Sequence, residues 1–332
     1  MTETAAPENP LSPRSAQIFD RRQVRRHRDR AAAIFDKHDF LFREVADRLY
    51  DKLLDVNRSF ERMLDLGCHR GELAALLNQK NPDLLIQQDL SLAMLAAHAA
   101  QSPGQAPTQA PTQAPKRDTA AWRVQGDEEF LPYRAQSLDL ITSNLSLHWV
   151  NDLPGTLLQI RQALRPDGLF LAALFGGETL TELRQAMFQA ELNMDRGASP
   201  HVSPFVDVRE AGTLLQRAGF ALPVVDTDRI TVTYKDALAL MMELRGMGET
   251  NALVKGYKGL SSAEMMMEMN RVYRNMFSDE RGRITVTFEV LYLLGWAPHE
   301  SQPKPLKPGS AKMRLADALG VKEHSAGEKA GK

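Results

Sequence analysis

The residues in this chain whose types and spacing could do chemistry are one glycine-bearing turn and a set of acids that recur at regular intervals after it. Leu64-Asp65-Leu66-Gly67-Cys68-His69-Arg70-Gly71 lies where a short apolar run gives way to a helical pattern. Glycines at such a turn permit positive φ and let a ligand approach the backbone closely. Asp89 closes the next apolar run, where a carboxylate can accept both hydroxyl hydrogens of a ribose. Asp127 and Glu128 follow the third run. Each acid alone reads most simply as a solvated loop charge, but acids at successive run ends together define a ligand track. A dinucleotide fingerprint would place glycine at 67, 69 and 72, and positions 69 and 72 hold His69 and Glu72, so nicotinamide chemistry recedes.

Beyond the fourth run, the stretch Ser143-Asn144-Leu145-Ser146-Leu147-His148-Trp149-Val150-Asn151-Asp152 is expected at the mouth of the same site. His148 could titrate near neutral pH and Trp149 could wall a pocket; packed Trp and helix-capping Asn or Asp are the structural alternative. His148, Trp149 and His201 are the catalytic candidates. Other constellations are weak. His27-x-Asp29 matches only part of an iron facial triad, and no metal site is expected. Cys68, beneath the glycine turn, reads as inert packing unless exposed and ionised.

The elements that must position these residues follow from the hydrophobic pattern. Apolar runs at 62–67, 84–89, 121–126, 138–144 and 168–175 alternate with helical stretches. Repeated strand-then-helix units predict parallel strands joined by crossovers, hence a doubly wound α/β sheet with its site at the carboxyl ends of the strands. RITVTY (229–234) and RITVTFEVLYLLGW (283–296) are β-branched and aromatic, and could bring the sheet to seven strands. Between them lies a methionine-rich helical segment, 235–282, whose default role is core packing and whose alternative is an adaptable lid or partner surface. The expected organisation is a disordered 1–13, a basic helical 14–60, a ligand-binding domain over 61–234 carrying a Pro/Gln-rich surface insertion at 101–120, the helical 235–282, a final strand within 283–300, and a flexible tail over 301–332. The arginines at 21, 22, 25, 26, 28 and 30 read either as a solvated helix face or as a basic cap over a site or an acidic partner surface.

Composition narrows the class further. The 41 basic and 42 acidic residues nearly cancel, so no global field favours nucleic acid or an anionic membrane. No apolar run approaches the ~20 residues that span a bilayer. A single cysteine excludes an internal disulfide and suits a reducing compartment. A cytoplasmic location is expected, or a mitochondrial matrix in a eukaryote; Glu3, Glu8, Asp20 and Asp29 argue against reading the early arginines as a transit peptide.

Asp65, Gly67 and Gly71 resemble motif I of the class I S-adenosylmethionine-dependent methyltransferases, an acid followed by Gly-x-Gly-x-Gly, with His69 replacing the middle glycine. The resemblance implies S-adenosyl-L-methionine as cofactor and a seven-stranded Rossmann-like fold. It implies that Asp65, Gly67, His69 and Gly71 wrap the methionine half, that Asp89 binds the ribose, that Asp127 or Glu128 binds the adenine amino group, and that Leu90 and Asn144 lie along the same track. A Cβ at His69 is expected to crowd the cofactor or force an unusual backbone conformation.

Asp127 to Tyr133 and Ser143 to Pro154 are similar to stretches of two families of this fold, the malonyl-acyl-carrier-protein O-methyltransferases of biotin synthesis and the respiratory complex I assembly factors with arginine-hydroxylase activity. Phe19-Asp20-Arg21, Phe175-Gly176-Gly177-Glu178-Thr179-Leu180, Ser199-Pro200-His201-Val202-Ser203-Pro204-Phe205, Gly246-Met247-Gly248-Glu249-Thr250-Asn251 and Gly295-Trp296 favour the second. That resemblance implies modification of an arginine of a complex I subunit during assembly. Methyl transfer needs an electrophilic sulfonium held in line with a nucleophile, whereas hydroxylation needs an oxidant, for which no ligand set is legible. A non-catalytic assembly chaperone is the third reading.

Overall fold

The computed structural model describes residues 17–101, 122–194, 197, 199–256 and 262–303, with positions 313, 317 and 319–322 beyond them. The expected disordered N-terminus, the 101–120 insertion from 102 onward and most of the tail lie outside the described residues. Residues 299–332 form a unit separate from 1–298.

The apolar runs become strands of a parallel sheet because most are short and aliphatic enough to be covered on both faces, the exception being the exposed edge strand Trp122–Gln125. These are β1 (Arg62–Leu66), β2 (Leu84–Asp89), β3 (Trp122–Gln125), β4 (Leu138–Asn144) and β5 (Leu164–Phe175). Two antiparallel strands, β6 (Ala221–Tyr234) and β7 (Ile284–Trp296), complete a seven-stranded sheet of order β3-β2-β1-β4-β5-β7-β6. Register brings the chemical residues level with one another. Asp65 pairs with Gln87 and Thr142, Asp89 with Gln125, and Asn144 with Ala173. The acids therefore gather at one edge of the sheet, the carboxyl ends of the parallel strands.

Helices cover both faces. One core layer joins α2 (Phe40–Leu54), α3 (Glu72–Leu77), α6 (Thr181–Asn193), α8 (Ala237–Met247) and α9 (Ala263–Phe277) to the sheet through Phe42, Leu49, Met63, Leu171 and Phe288. The opposite layer packs α5 (Leu153–Ala163) and α7 (Val208–Arg217) through Leu157, Ile160, Phe170 and Leu215. Helix starts follow their capping residues: Asp152 accepts from Gly155 N–H, Asp236 from Ala239 N–H and Ser262 from Met265 N–H. Of the methionines between β6 and β7, Met247, Met265 and Met269 are buried, while Met242, Met267 and Met276 are exposed.

Two strands run longer than their sequence pattern indicates. β6 begins at Ala221 rather than near 229, because its first half, which carries Pro223 and an Asp-Thr-Asp run, lies at a sheet edge and shifts register between Ala221 and Val224. β5 begins at Leu164 and carries the Arg165-Pro166-Asp167-Gly168 turn within it, with Asp167 at φ 65°. Gly168 is required there because a side chain would stand 2.9 Å from the Arg165 carbonyl. Before the sheet, α1 (Arg21–Ala31) starts at Asp20, whose carboxylate accepts from Arg22 and Gln23 N–H, and α4 (Leu92–Gln101) follows β2. No helix among the described residues is long and apolar enough to cross a membrane.

Candidate functional site

The turn after β1 is held by backbone geometry that only some residues tolerate. Gly67 sits at φ 69° with its N–H on the Gln88 carbonyl, and a Cβ there would collide with the Ser146 hydroxyl at 2.0 Å. Gly71, at φ 90°, opens α3. His69 occupies the left-handed region as well, at φ 49°, where a side chain costs about 1–2 kcal/mol. Its ring offsets that strain. It stacks on Phe35 at 5.8 Å and meets the edge of Phe42 at 4.6 Å, while Nε2 lies 3.2 Å from the Leu145 carbonyl. Burial, with Arg28 nearby, lowers the His69 pKa to about 3, so the ring is neutral and Nε2–H donates. Asp65 is wholly enclosed, and burial together with Glu72 raises it to about 8; Thr142 Oγ1 stands 3.4 Å away. Cys68 is buried, which pushes its thiol well above the ordinary value and leaves it a packing group.

At the next two strand ends the acids meet α1. The Arg28 guanidinium donates through Nη1 to Asp89 Oδ2 (3.2 Å) and Glu128 Oε1 (2.9 Å), and through Nη2 to Ser146 Oγ (2.8 Å). Arg21 reaches Asp127 Oδ1 at 2.7 Å, the Trp149 carbonyl at 3.2 Å and the second oxygen of Glu128. Asp89 is saturated by backbone as well: Ser91 N–H donates to Oδ1 at 2.7 Å and His69 N–H to Oδ2 at 3.0 Å. Asp89 and Glu128 have no exposed surface. Burial pushes Glu128 up, yet the two guanidiniums outweigh it and hold the carboxyl well below its usual range. Asp89, sharing one guanidinium and lying beside Glu128, is raised, chiefly by burial. Glu128 is thus the firmly ionised partner. Burial would lower Arg28, but Asp89 and Glu128 override it and keep its charge.

The mouth is assembled from segments far apart in the chain. Glu249 Oε2 accepts from Trp149 Nε1 (2.8 Å) and lies 3.0 Å from His148 Nε2. Burial raises Glu249, and His148 and Arg28 more than offset this, so it is held below its ordinary value as a carboxylate. Phe19 packs edge-on to Trp149 at 5.3 Å, and its N–H donates to Asn151 Oδ1 at 2.8 Å. The loop after α8 straps α1 in place: Asp20 N–H donates to the Ala252 carbonyl at 2.8 Å, Gln23 to the Asn251 carbonyl, and His27 meets Thr250. Asn251 also donates to the His201 carbonyl at 2.9 Å, and His201 Nε2 lies 2.7 Å from Glu191. Beside this assembly a cavity of about 250 Å³ opens, walled by Trp149, Phe175, Phe205, Met241 and Met266, and Glu249 is the one carboxylate among the described residues that line it.

The structure brings together Asp65, Gly67, His69, Gly71, Asp89 and Glu128 at the strand ends, with Asp127 at their rim and Leu90 packed in the small cluster of Phe19, Val24 and Trp149. Asn144 turns away, donating to the Phe42 carbonyl at 2.8 Å and so fixing α2 to β4. Trp149 and His201 line the cavity, and His148 packs on its Phe175 wall and meets Glu249. The sequence offered Arg21 and Arg28 only within a stretch that could be a solvated face or a basic cap over a site, and Ser146 only within the stretch expected at the mouth, with no contact assigned to any of them; Glu249 was given no role within its motif. The available signal was spacing, because Arg21, Val24 and Arg28 share one face of a helix. His27 and Asp29 are engaged separately, by Thr250 and Ser91, and no group of three metal-ligating side chains occurs among the described residues.

A doubly wound sheet of this order, with acids at the ends of β1, β2 and β3, defines the class I methyltransferase fold. The chain belongs to the methyltransferase-domain family, whose description matches residues 35–223. It is 40% identical over 302 residues to the mitochondrial arginine-hydroxylase NDUFAF5 of Danio rerio, covering 90% of this chain and 89% of that one. It is 35% identical over 292 residues to the malonyl-[acyl-carrier protein] O-methyltransferase of Laribacter hongkongensis, covering 87% and 94%. The YcgJ protein of Bacillus subtilis superposes with a TM-score of 0.52 at 16% identity, over 76% of this chain and 99% of that one, a likeness of fold.

Proposed function

We propose that this methyltransferase-fold enzyme modifies an arginine side chain of a respiratory complex I subunit during assembly, and that the arginine enters the cavity beside Glu249. The observation that carries this reading is the charge of the cavity. Its walls are aromatic and thioether surfaces suited to an arginine stem and to the face of a guanidinium, and its one lining carboxylate is held ionised. The arginine-hydroxylase relatives supply the substrate class. A malonyl thioester, the substrate suggested by the second set of relatives, would bring its own carboxylate against Glu249 with like charge. The residues of this chain bind, orient and exclude water: Glu249 takes the cation, Phe175 and Phe205 flank it, and His148 and Trp149 hold Glu249 in place.

S-adenosylmethionine is the cofactor that the family implies, and the side chains as arranged do not admit it. Both Asp89 oxygens and both Glu128 oxygens are taken, and Arg28 fills the space between Asp89, Glu128 and Ser146. Calorimetry with an arginine-containing subunit peptide and its citrulline counterpart tests the cavity reading. The arginine peptide is expected to bind and the neutral isostere to bind at least about tenfold more weakly; equal affinities would remove the basis for placing a guanidinium there. Growth rescue of a biotin auxotroph would instead favour the malonyl substrate.

A further inference from the structure

We propose that Arg28 is an internal occupant of the cofactor seat, so that S-adenosylmethionine and the Arg28 guanidinium compete for the same acids and α1 must release them before the cofactor binds. This rests on the reading of S-adenosylmethionine as the ligand of the strand-end acids. The guanidinium lies against both the acid at the end of β2 and the acid after β3, the positions at which ribose and adenine would be held, and its side chain is 1% exposed. It reaches them from a helix 61 and 100 residues earlier in the chain.

The arrangement is built to let this one side chain leave. When Arg28 withdraws, Asp89 keeps the N–H groups of Ser91 and His69, and Glu128 keeps the Ser146 hydroxyl even where Arg21, at the start of the same helix, leaves with it. Neither acid is orphaned, and a sulfonium cofactor brings a positive charge of its own. Arg28 in place is a poor source of stability, since desolvating a guanidinium offsets much of its pairing and its Nε finds no partner. The helix that carries it is lightly anchored in apolar terms, with Val24, His27, Arg28 and Ala31 its buried residues, and Arg22, Arg25, Arg26 and Arg30 already in solvent. Its N-terminal end is tied to the Glu249 loop, so release of α1 would also loosen the wall of the substrate cavity.

Two measurements on the full chain decide the matter, both with S-adenosylmethionine as the probe. Calorimetry on the wild type and Arg28→Ala is expected to give tighter binding by about tenfold or more in the variant, because the competing closed state is removed. Hydrogen exchange on the wild type at saturating S-adenosylmethionine is expected to show faster exchange across 21–31, and it decides the question if the variant fails to fold. Weaker binding by the variant, or added protection of 21–31, would make Arg28 a cofactor contact and overturn the competition while leaving the cofactor reading intact. Absence of binding by both proteins, with unchanged exchange, would overturn both.

Discussion

Replacing Glu128 with Gln probes the buried charge cluster at its centre. Glu128 accepts from Arg28 at 2.9 Å and Ser146 at 2.8 Å and also pairs with Arg21, with no part of its side chain in solvent. An amide in its place keeps one acceptor but turns an NH₂ group toward guanidinium donors, and it leaves Arg28 hydrogen-bonded to one carboxylate, Asp89, beside the Ser146 hydroxyl. Removing one member of such a buried pair costs about 3–5 kcal/mol. At roughly 2–3 °C per kcal/mol for a domain of this size, the melting temperature should fall by about 6–15 °C. The pH dependence carries a sign. The folded-state pKa of Glu128 lies below its ordinary 4.5, so the carboxylate's contribution is fully present above pH 4.5 and disappears as pH falls through the folded value. Calorimetric melts should show a wide gap between wild type and variant at neutral pH that narrows in acid. Adding Arg28→Met to the variant should lose less than the sum of the two single changes, because the uncompensated charge goes with it. A Glu128→Gln melt within about 2 °C of wild type at neutral pH would refute the clamp.

His69→Gly relieves about 1–2 kcal/mol of left-handed backbone strain and loses about 3–5 kcal/mol of buried ring packing against Phe35 and Phe42, so urea titration should show a net loss of about 2 kcal/mol. A gain in stability would mean that the ring contributes no packing. Asp65 is raised to about 8 from 3.8, so the unfolded chain releases its proton first and stability declines as pH rises between those values. Asp65→Asn should flatten that decline in denaturation midpoints measured from pH 5 to 8; an unaltered slope would assign the effect to another group. Glu249→Gln should keep the fold, since the amide oxygen can still accept from Trp149, and should raise the apparent Kd for the arginine peptide by about tenfold to a hundredfold. An unchanged Kd would place the guanidinium elsewhere.

The sheet was legible because its strands are short aliphatic runs with helical patterns between them. β2 and β4 occupy the expected 84–89 and 138–144, and the acids fall at strand ends because the βαβ crossover puts every parallel carboxyl end on one side. The unusual backbone expected from a Cβ at position 69 appears as the positive φ of His69. What the sequence left open was direction. The Arg-rich stretch at 21–30 has a composition compatible with a solvated face, and only partners at 89, 127, 128 and 146 turn Arg21 and Arg28 inward. Glu249 was equally hidden, because its meaning depends on His148 and Trp149 about a hundred residues earlier. The scattered motifs around 149, 201 and 249 do line one cavity, with Phe19 packed on its Trp149, whereas Gly295 lies at the far end of β7, where a side chain would strike Phe220 at 2.9 Å. Its place in the pattern is therefore a packing requirement.

Arginine modification is tested most directly by mass spectrometry of complex I subunits from a strain lacking this protein, complemented with the wild type or with Glu249→Gln. One subunit arginine is expected to lose the mass of a hydroxyl oxygen or a methyl group in the deletion strain, the wild type to restore it, and Glu249→Gln to restore it poorly. An unchanged arginine with a normally assembled complex would contradict arginine modification by this protein.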